Sequence, residues 1–169
     1  MVNHYSVSKK RRKSDAYTPG GKAGFRPDRV VSTYTQILKR LYPHVPVVVG
    51  GIEASLRRLT HYDYWDNELK PSILTESGAD LLIYGMGEGV VQEVAKAMRN
   101  GFNMKLLRKI NQVAFLADKS YVERLDETKT LKLHAYETCC KSKDEYLTRP
   151  DKGRCFDEEN QNRIRSAVT

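Results

Sequence analysis

The sequence has no hydrophobic run long enough to cross a membrane. None of its apolar stretches approaches the roughly 18 residues that a spanning helix needs. The N-terminus is polar and then basic, without the apolar segment of a signal peptide. Charged residues make up 30% of the chain, and the mean hydropathy is −0.60. These features predict a cytoplasmic protein that has a single domain with a polar surface and no membrane partner.

Cysteine is scarce, and its spacing does not fit a metal site. The odd number of cysteines, Cys139, Cys140 and Cys155, argues against a disulfide framework. Adjacent cysteines cannot easily chelate one metal, and the gap from Cys140 to Cys155 matches no common zinc spacing. The four histidines are scattered, without a second ligand at helical spacing. The sequence therefore predicts free thiols, no metal ligands and no identifiable catalytic residue.

Positive charge is concentrated near the N-terminus. The net charge is +8, and residues 1–30 carry eight lysines or arginines against Asp15 and Asp28. We interpret residues 1–26 as an irregular basic arm, because Pro19-Gly20-Gly21 forbids a long helix. Such an arm either attracts RNA or another polyanion, or is simply solvated. The candidate polyanion-binding residues are Lys9, Lys10, Arg11, Arg12, Lys13, Arg26 and Arg29.

Apolar periodicity beyond the arm predicts an α/β domain. Residues 27–42 have helical spacing, with an expected core-facing side made of Val30, Val31, Tyr34, Ile37, Leu38 and Leu41. Short apolar runs predict buried strands at 45–49, 81–84 and 112–117, and helices are expected at 71–77, 88–100 and 104–110. Alternation of helices and strands favours a doubly wound parallel sheet with right-handed crossover helices. Residues 131–135 allow a strand, and 141–169 predict a polar, poorly packed tail.

Two glycine-rich turns follow predicted strands, where ligands bind in open α/β sheets. They are Gly50-Gly51-Ile52-Glu53-Ala54-Ser55 and Gly85-Met86-Gly87-Glu88-Gly89. Tight turns need glycine anyway, and carboxylates commonly begin helices, so a purely structural role is the alternative. Val90 breaks the dinucleotide fingerprint, and no phosphate-binding P-loop motif occurs. The ligand-binding candidates are Gly50, Gly51, Glu53, Ser55, Gly85, Gly87 and Glu88.

Several long strings resemble the YgiQ-like radical SAM protein family, from residue 1 to about 140. They include Met1-Val2-Asn3-His4-Tyr5, Asp15-Ala16-Tyr17-Thr18-Pro19-Gly20-Gly21, Gly50-Gly51-Ile52-Glu53-Ala54-Ser55-Leu56-Arg57-Arg58, His61-Tyr62-Asp63-Tyr64-Trp65 and Leu81-Leu82-Ile83-Tyr84-Gly85-Met86-Gly87-Glu88. The resemblance implies a cobalamin-binding-like, flavodoxin-like accessory domain in front of a radical SAM core. No Asp-x-His-x-x-Gly occurs, so cobalamin itself is not expected.

The family resemblance also implies a larger enzyme than this chain. Its full-length members hold a 4Fe–4S cluster through Cys-x-x-x-Cys-x-x-Cys and use S-adenosylmethionine, but that motif is absent here. We therefore expect a catalytically inactive fragment, truncated at both ends, whose partner is the missing core. The expected division is an arm at 1–26, an accessory domain at 27–137 and a polar tail at 138–169. The alternative function is a nucleic-acid-binding module acting through Lys9–Lys13.

Overall fold

A computed structural model describes residues 4–99, 101–126, 130–131, 133–142, 144, 146 and 166–168. Its helices are α1 (Val30–Leu41), α2 (Gly51–Leu56), α3 (Ile73–Ser77), α4 (Glu88–Met98), α5 (Met104–Leu107), α6 (Lys119–Val122) and α7 (Tyr136–Lys141). Its strands are β1 (Val48–Val49), β2 (His61–Asp63), β3 (Glu68–Lys70), β4 (Leu81–Ile83), β5 (Val113–Leu116) and β6 (Ser166–Val168). This mixture confirms the α/β class. Within the described part of the chain, no helix has the length and apolarity to cross a membrane.

The main sheet is mixed, with strand order β1-β4-β5-β6. β1 runs parallel to β4, as expected, but β5 runs antiparallel to β4, so the prediction of three parallel strands is wrong for β5. Two helices, α4 and α5, lie between β4 and β5. β5 begins beside the end of β4, where the Tyr84 amide donates to the Gln112 carbonyl at 3.0 Å, and it runs back along β4 in the opposite direction.

The core lies on both faces of the sheet. On one face Leu82 packs with residues of α2 and α3, including Ala54, Ile73 and Leu74. On the other face the flanking β4 residues pack with α4, α5 and β5 in a cluster of Leu81, Ile83, Val90, Val94, Leu107, Val113 and Phe115. The alternation along β4 follows from the two-residue period of a strand. Strands buried on both faces explain why these runs are continuously apolar.

The prediction that the apolar side of α1 faces the core is wrong. Ser32 and Thr35 are the buried residues of this helix, and only Val31 packs against the core. Tyr34, Ile37, Leu38 and Leu41 are exposed. Two polar residues of the helix have partners in the domain: Gln36 donates to the Glu76 carbonyl at 3.0 Å, and the Lys39 ammonium lies 3.0 Å from Asp80.

Two regions differ from the sequence-based expectation near β3 and the C-terminus. Residues 61–70 form a hairpin, β2–β3, for which the sequence carries no strong signal. The described residues of 131–135 form no strand, and α7 follows them, with the Tyr136 hydroxyl donating to the Leu69 carbonyl at 3.3 Å. In the region assigned to the tail, β6 pairs with β5 in parallel. Most of 143–165 lies outside the described residues.

The N-terminal arm has little regular structure in its described part. It contains a 3-10 turn at Pro19–Gly21 and isolated bridges that pair Tyr5 with Arg11 and Ser14 with Lys22. Tyr5 anchors it, since its ring lies 4.6 Å from the Trp65 ring. The other two aromatic residues of the arm, Tyr17 and Phe25, are exposed.

Candidate functional site

The two glycine-rich turns lie side by side at one edge of the sheet. Gly50 follows β1 and Gly85 follows β4, and these strands are parallel neighbours. The Gly85 amide donates a 3.3 Å hydrogen bond to the Ser55 hydroxyl, which joins the turns directly. A Cβ on Gly50 would lie 3.3 Å from the Ile83 carbonyl oxygen. The structure therefore brings the two turns together at this edge, as the parallel order of their strands predicts.

Backbone geometry accounts for the glycine at position 85 without a ligand. Its φ is +72°, a region that residues with a side chain rarely adopt. A Cβ there would also approach the Gln112 side-chain nitrogen to 2.9 Å. Backbone conformation and the nearby Gln112 side chain are thus sufficient to explain the glycine at position 85. Ligand binding by the glycines stays a prediction.

Polar and apolar side chains share this edge. Glu53 is half-buried, and its carboxylate lies 3.4 Å from the Arg57 guanidinium, whereas Glu88 is exposed in the first turn of α4. Three large apolar side chains are exposed nearby in sequence: Ile52 at 82%, Leu56 at 72% and Met86 at 76%. Large apolar side chains that are exposed around tight turns are typical of a surface that contacts another protein or domain.

Arg58 braces the first turn. Its guanidinium donates to the Ser55 carbonyl at 2.6 Å and lies 4.8 Å from the centre of the Tyr84 ring. Because Tyr84 follows β4 directly, this arginine connects the first turn to the end of the second strand. The contact fixes the relative position of the two turns.

A cleft of about 310 Å³ opens beside the second turn. Its lining is Met86, Gly89, Val90, Glu93, Asn111 and Gln112. None of the seven ligand-binding candidates lines it, although Met86 and Gly89 belong to the second turn. Asn111 and Gln112 have no signal in the sequence, because the direction of β5 decides that their loop returns to this edge.

Asp63, at the end of β2, is a buried carboxylate between two arginines. It lies 3.0 Å from Arg29 and 3.5 Å from Arg57, and accepts a hydrogen bond from the Trp65 amide at 2.8 Å. Burial opposes its ionisation, but the amide donors and the arginines outweigh burial and lower the pKa of Asp63. Arg29 also contacts Asp66 and Glu76. The structure thus engages this polyanion candidate with carboxylates of its own chain.

A second cluster of ion pairs and hydrogen bonds joins distant residues of the arm. Arg26 donates two hydrogen bonds to Asp15, at 2.8 and 2.7 Å, and this pairing lowers the pKa of Asp15 to about 2. His4 is buried between Asp15 at 3.3 Å and Asp28 at 2.8 Å, and its hydrogen bond lowers the pKa of Asp28. The sequence did not predict this cluster. The signal that could have indicated it is the presence of two carboxylates, Asp15 and Asp28, among the eight lysines and arginines of residues 1–30.

The basic run Lys9–Lys13 is exposed along its whole length. Lys9 donates to the Trp65 carbonyl at 3.1 Å and lies 4.6 Å from the Tyr64 ring centre. Arg12 donates to the Tyr5 carbonyl at 3.0 Å. Within the described ranges, no carboxylate forms a salt bridge with any of the five cations. The run therefore presents positive charge on the outside of an arm that is fixed to the domain.

The described cysteines do not fit an iron–sulfur cluster. Cys139 is buried, and its thiol donates to the His134 carbonyl at 3.8 Å, while the neighbouring Cys140 is exposed. Cys155 lies outside the described residues. Among the residues that the structure covers, no group of three histidine, cysteine, aspartate or glutamate side chains could hold a metal ion.

Comparison with known proteins identifies relatives across most of the chain. The UPF0313 protein of Clostridium perfringens strain SM101 is 54% identical over 118 residues, which are 70% of this chain and 18% of that protein. The UPF0313 protein of Porphyromonas gingivalis is 55% identical over 119 residues, 70% of this chain and 19% of the relative. That of Clostridium botulinum strain Okra is 47% identical over 128 residues, 73% and 20% of the two chains.

The matched segment spans about a fifth of the length of these relatives. No solved structure matches the chain. The family profile described as radical SAM N-terminal matches residues 1–168, nearly the whole sequence. This chain is a member of the radical SAM N-terminal family.

Proposed function

We propose that this chain is an accessory part of a radical SAM enzyme, with the cluster and S-adenosylmethionine held elsewhere in a longer polypeptide. The family match and the much greater length of the relatives support this proposal. The described cysteines do not fit a cluster, so the redox chemistry is assigned to another part of such a polypeptide.

The observation that carries the proposal is the pairing of the two turns at the sheet edge. We define the glycine-turn edge as residues 50–56 and 85–88. Its exposed apolar residues are suited to contact with another domain. Its two carboxylates, Glu53 and Glu88, can accept hydrogen bonds from ligand hydroxyl groups. An enzyme that generates a radical needs its reacting centre closed to water, and a cover of this kind would supply part of that closure.

In the proposed enzyme the cluster and S-adenosylmethionine supply the radical. The chain's own residues exclude water and orient the substrate. Met86 and Leu56 form the apolar part of the cover, and Glu53 is held in place by Arg57. The turns themselves are rigid because Ser55 and Arg58 tie them together.

The proposal is tested in a chimera in which this chain replaces the matching segment of the Clostridium perfringens relative. Met86→Glu should slow cleavage of S-adenosylmethionine by about tenfold or more, because a charge would be placed against the active site. The matched control is Leu106→Glu, which changes an exposed apolar residue of α5 that is not part of the glycine-turn edge. Iron content should be equal in both variants. Equal cleavage rates in both variants would contradict the proposed orientation of the edge, and a parent chimera that holds no cluster would contradict the enzyme class.

A second candidate function is polyanion binding by the run Lys9–Lys13. Its specific support is that the five cations are exposed, unpaired with carboxylates in the described structure, and held on an anchored arm. A fixed array of cations binds single-stranded RNA by counterion release, with a logarithmic salt slope of about −0.7 per phosphate neutralised.

The test replaces Lys9–Lys13 with glutamine and measures RNA binding by fluorescence anisotropy at several salt concentrations. The matched control replaces five exposed cations elsewhere, Lys96, Arg99, Lys105, Lys109 and Lys119, and so has the same net charge. If the run is the binding surface, only the first variant should flatten the salt slope. Equal flattening in both variants would show attraction by net charge alone.

A further inference from the structure

Two aromatic side chains of the arm are directed into solvent. Tyr17 is 70% exposed and Phe25 is 71% exposed. Other groups hold the arm to the domain, among them the Tyr5 ring, which lies 4.6 Å from the Trp65 ring. One exposed aromatic residue is common on a protein surface. Two of them in one short basic segment, neither buried by its attachment, offer flat apolar faces to a ligand.

An arginine lies beside each of the two segments that carry these rings. The Arg26 guanidinium lies 5.1 Å from the centre of the Tyr17 ring. Arg11 lies against Gly24, the residue before Phe25, because a Cβ on this glycine would come within 3.0 Å of a guanidinium nitrogen. Gly24 has φ +95°, a region that residues with a side chain rarely adopt. The fold of the arm therefore places polyanion-binding candidates next to both aromatic positions.

The basic run is held in a defined position at its first residue. The backbone of Lys9 has φ +59°, and its amide donates to the Ser6 carbonyl at 3.0 Å. The Lys9 ammonium lies 4.6 Å from the centre of the Tyr64 ring, whose hydroxyl donates to the Val7 carbonyl at 3.0 Å. Uncommon backbone conformations that surrounding contacts hold in place occur often at ligand-binding sites. The run thus presents its charge from a fixed loop of the arm.

Cations beside exposed flat rings match the chemistry of unpaired nucleotides. Lysine and arginine neutralise phosphates, and bases stack on aromatic rings, which together bind single strands without base-specific hydrogen bonds. In a duplex the bases are paired and stacked on one another, so exposed rings add little to its binding. The exposed rings therefore distinguish an unpaired strand from a duplex, which the charge of Lys9–Lys13 does not.

We propose that the arm surface, defined as Lys9–Lys13, Tyr17 and Phe25, binds a single-stranded nucleic acid whose bases stack on the two rings. The phosphates are assigned to the basic run, because Arg26 is already paired with Asp15. This inference rests on the polyanion binding proposed above for Lys9–Lys13 and adds that the polyanion has unpaired bases. It does not depend on the enzyme class.

An anionic membrane fits the same residues less well. Segments that lie on membranes are commonly amphipathic helices with one broad apolar side. The one helical element in the described part of the arm is the 3-10 turn Pro19–Gly21. Val7, its most exposed apolar residue, stands in the sequence between two serines. We therefore assign the arm surface to nucleic acid.

The test measures fluorescence anisotropy with labelled probes of equal length, about 12 nucleotides. They are a single-stranded RNA, the same strand paired with its complement, and an abasic strand that has phosphates but no bases. The variant is Tyr17→Ala with Phe25→Ala, and the matched control is Tyr42→Ala with Phe102→Ala, an exposed tyrosine and phenylalanine outside the arm. None of the four side chains belongs to the buried core, and circular dichroism should show equal helix content in both variants.

We expect the arm variant to bind the single-stranded RNA about tenfold or more weakly than the parent chain, because two base stacks are lost. Its affinity for the duplex and for the abasic strand should stay within about twofold, because the charge of the arm is unchanged. The control variant should bind all three probes as the parent does. The same loss with a DNA strand of the same sequence assigns the surface to single strands of either kind, and a loss confined to RNA assigns it to RNA.

The contrary outcomes separate this inference from polyanion binding. Unchanged binding of single-stranded RNA by the arm variant, with a salt slope that still flattens when Lys9–Lys13 are replaced, overturns base stacking and leaves polyanion binding intact. An equal loss for the abasic strand overturns stacking as well, because that probe has no bases. Binding to vesicles of anionic lipid that is tighter than binding to RNA, and that the arm variant loses, assigns the surface to a membrane and overturns the inference. A parent chain that binds none of the probes contradicts both proposals.

Discussion

The described part of the arm, residues 4–26, keeps its shape through ion pairs and hydrogen bonds, whereas the sheet and its helices bury aliphatic side chains. In the arm, the buried residues include His4 and Asp15, and few large apolar side chains are buried beside them. In the sheet, Leu81 and Leu82 are fully buried on opposite faces. Burial of apolar surface is insensitive to pH and strengthens with area, while ion pairs depend on protonation. The arm and the sheet should therefore lose their structure under different conditions.

The largest effect is expected in the core. Leu82→Ala removes a fully buried side chain from the cluster that contains Ile73 and Leu74. Large-to-small changes of this kind cost about 2–5 kcal/mol, because the cavity that remains collapses only partly. Urea unfolding followed by circular dichroism measures the loss. Leu106→Ala, at an exposed site, is the control and should change the free energy of unfolding by about 0.5 kcal/mol or less. A small effect of Leu82→Ala would contradict the assigned core.

Acid should release the arm before it unfolds the helices. The folded pKa of Asp15 is about 2, below its ordinary value near 4, so its ionised form stabilises the arm above about pH 4. That contribution is lost as the pH falls from about 4 towards 2. The chain has one tryptophan, Trp65, which contacts Tyr5, and its fluorescence reports the release. Circular dichroism follows the helices over the same pH range.

The control for acid release is Asp15→Asn, which removes the titrating group and loosens the arm at neutral pH. Asp63 has a lowered pKa and lies beside Trp65, so it contributes to the same fluorescence window. Asp28, which pairs with His4, has a lowered pKa as well. The part of the transition that disappears in Asp15→Asn is therefore the contribution of Asp15 alone. If helix content and fluorescence change together in the parent chain, the arm and the core form one cooperative unit.

The smallest effect is expected where the arm meets the domain. Lys9→Met removes a cation that lies over the Tyr64 ring and donates to the Trp65 carbonyl. Cation–π contacts at exposed sites contribute about 0.5–1 kcal/mol. Hydrogen exchange of the arm amides should therefore increase by a few fold, and α4 should be unaffected. Lys13→Met, at another exposed lysine of the same run, is the control. Equal exchange in both variants would show that Lys9 does not fasten the arm.

Several features could be predicted from the sequence because neighbouring residues specify them. The strand β4 is a run of apolar residues, and α3 is bounded by the Ser72 cap and by Gly78 at φ +73°. The glycine turns were located for the same reason, and their pairing followed from parallel neighbouring strands. The β2–β3 hairpin was missed because its turn depends on Asn67 at φ +57° and on amide donors to Asp63, which are weak signals in a sequence.

Local sequence specifies where most helices and buried strands of the main sheet lie and where the backbone turns at Gly50–Gly51 and Gly85. These features depend on interactions within a few residues, so periodicity and glycine are sufficient to specify them. The direction of β5, the outward orientation of the apolar side of α1, and the joining of His4, Asp15 and Arg26 are visible in the folded molecule alone. Each of these depends on contacts between distant segments. An amphipathic helix has the same sequence pattern whether its apolar side turns towards the core or towards solvent.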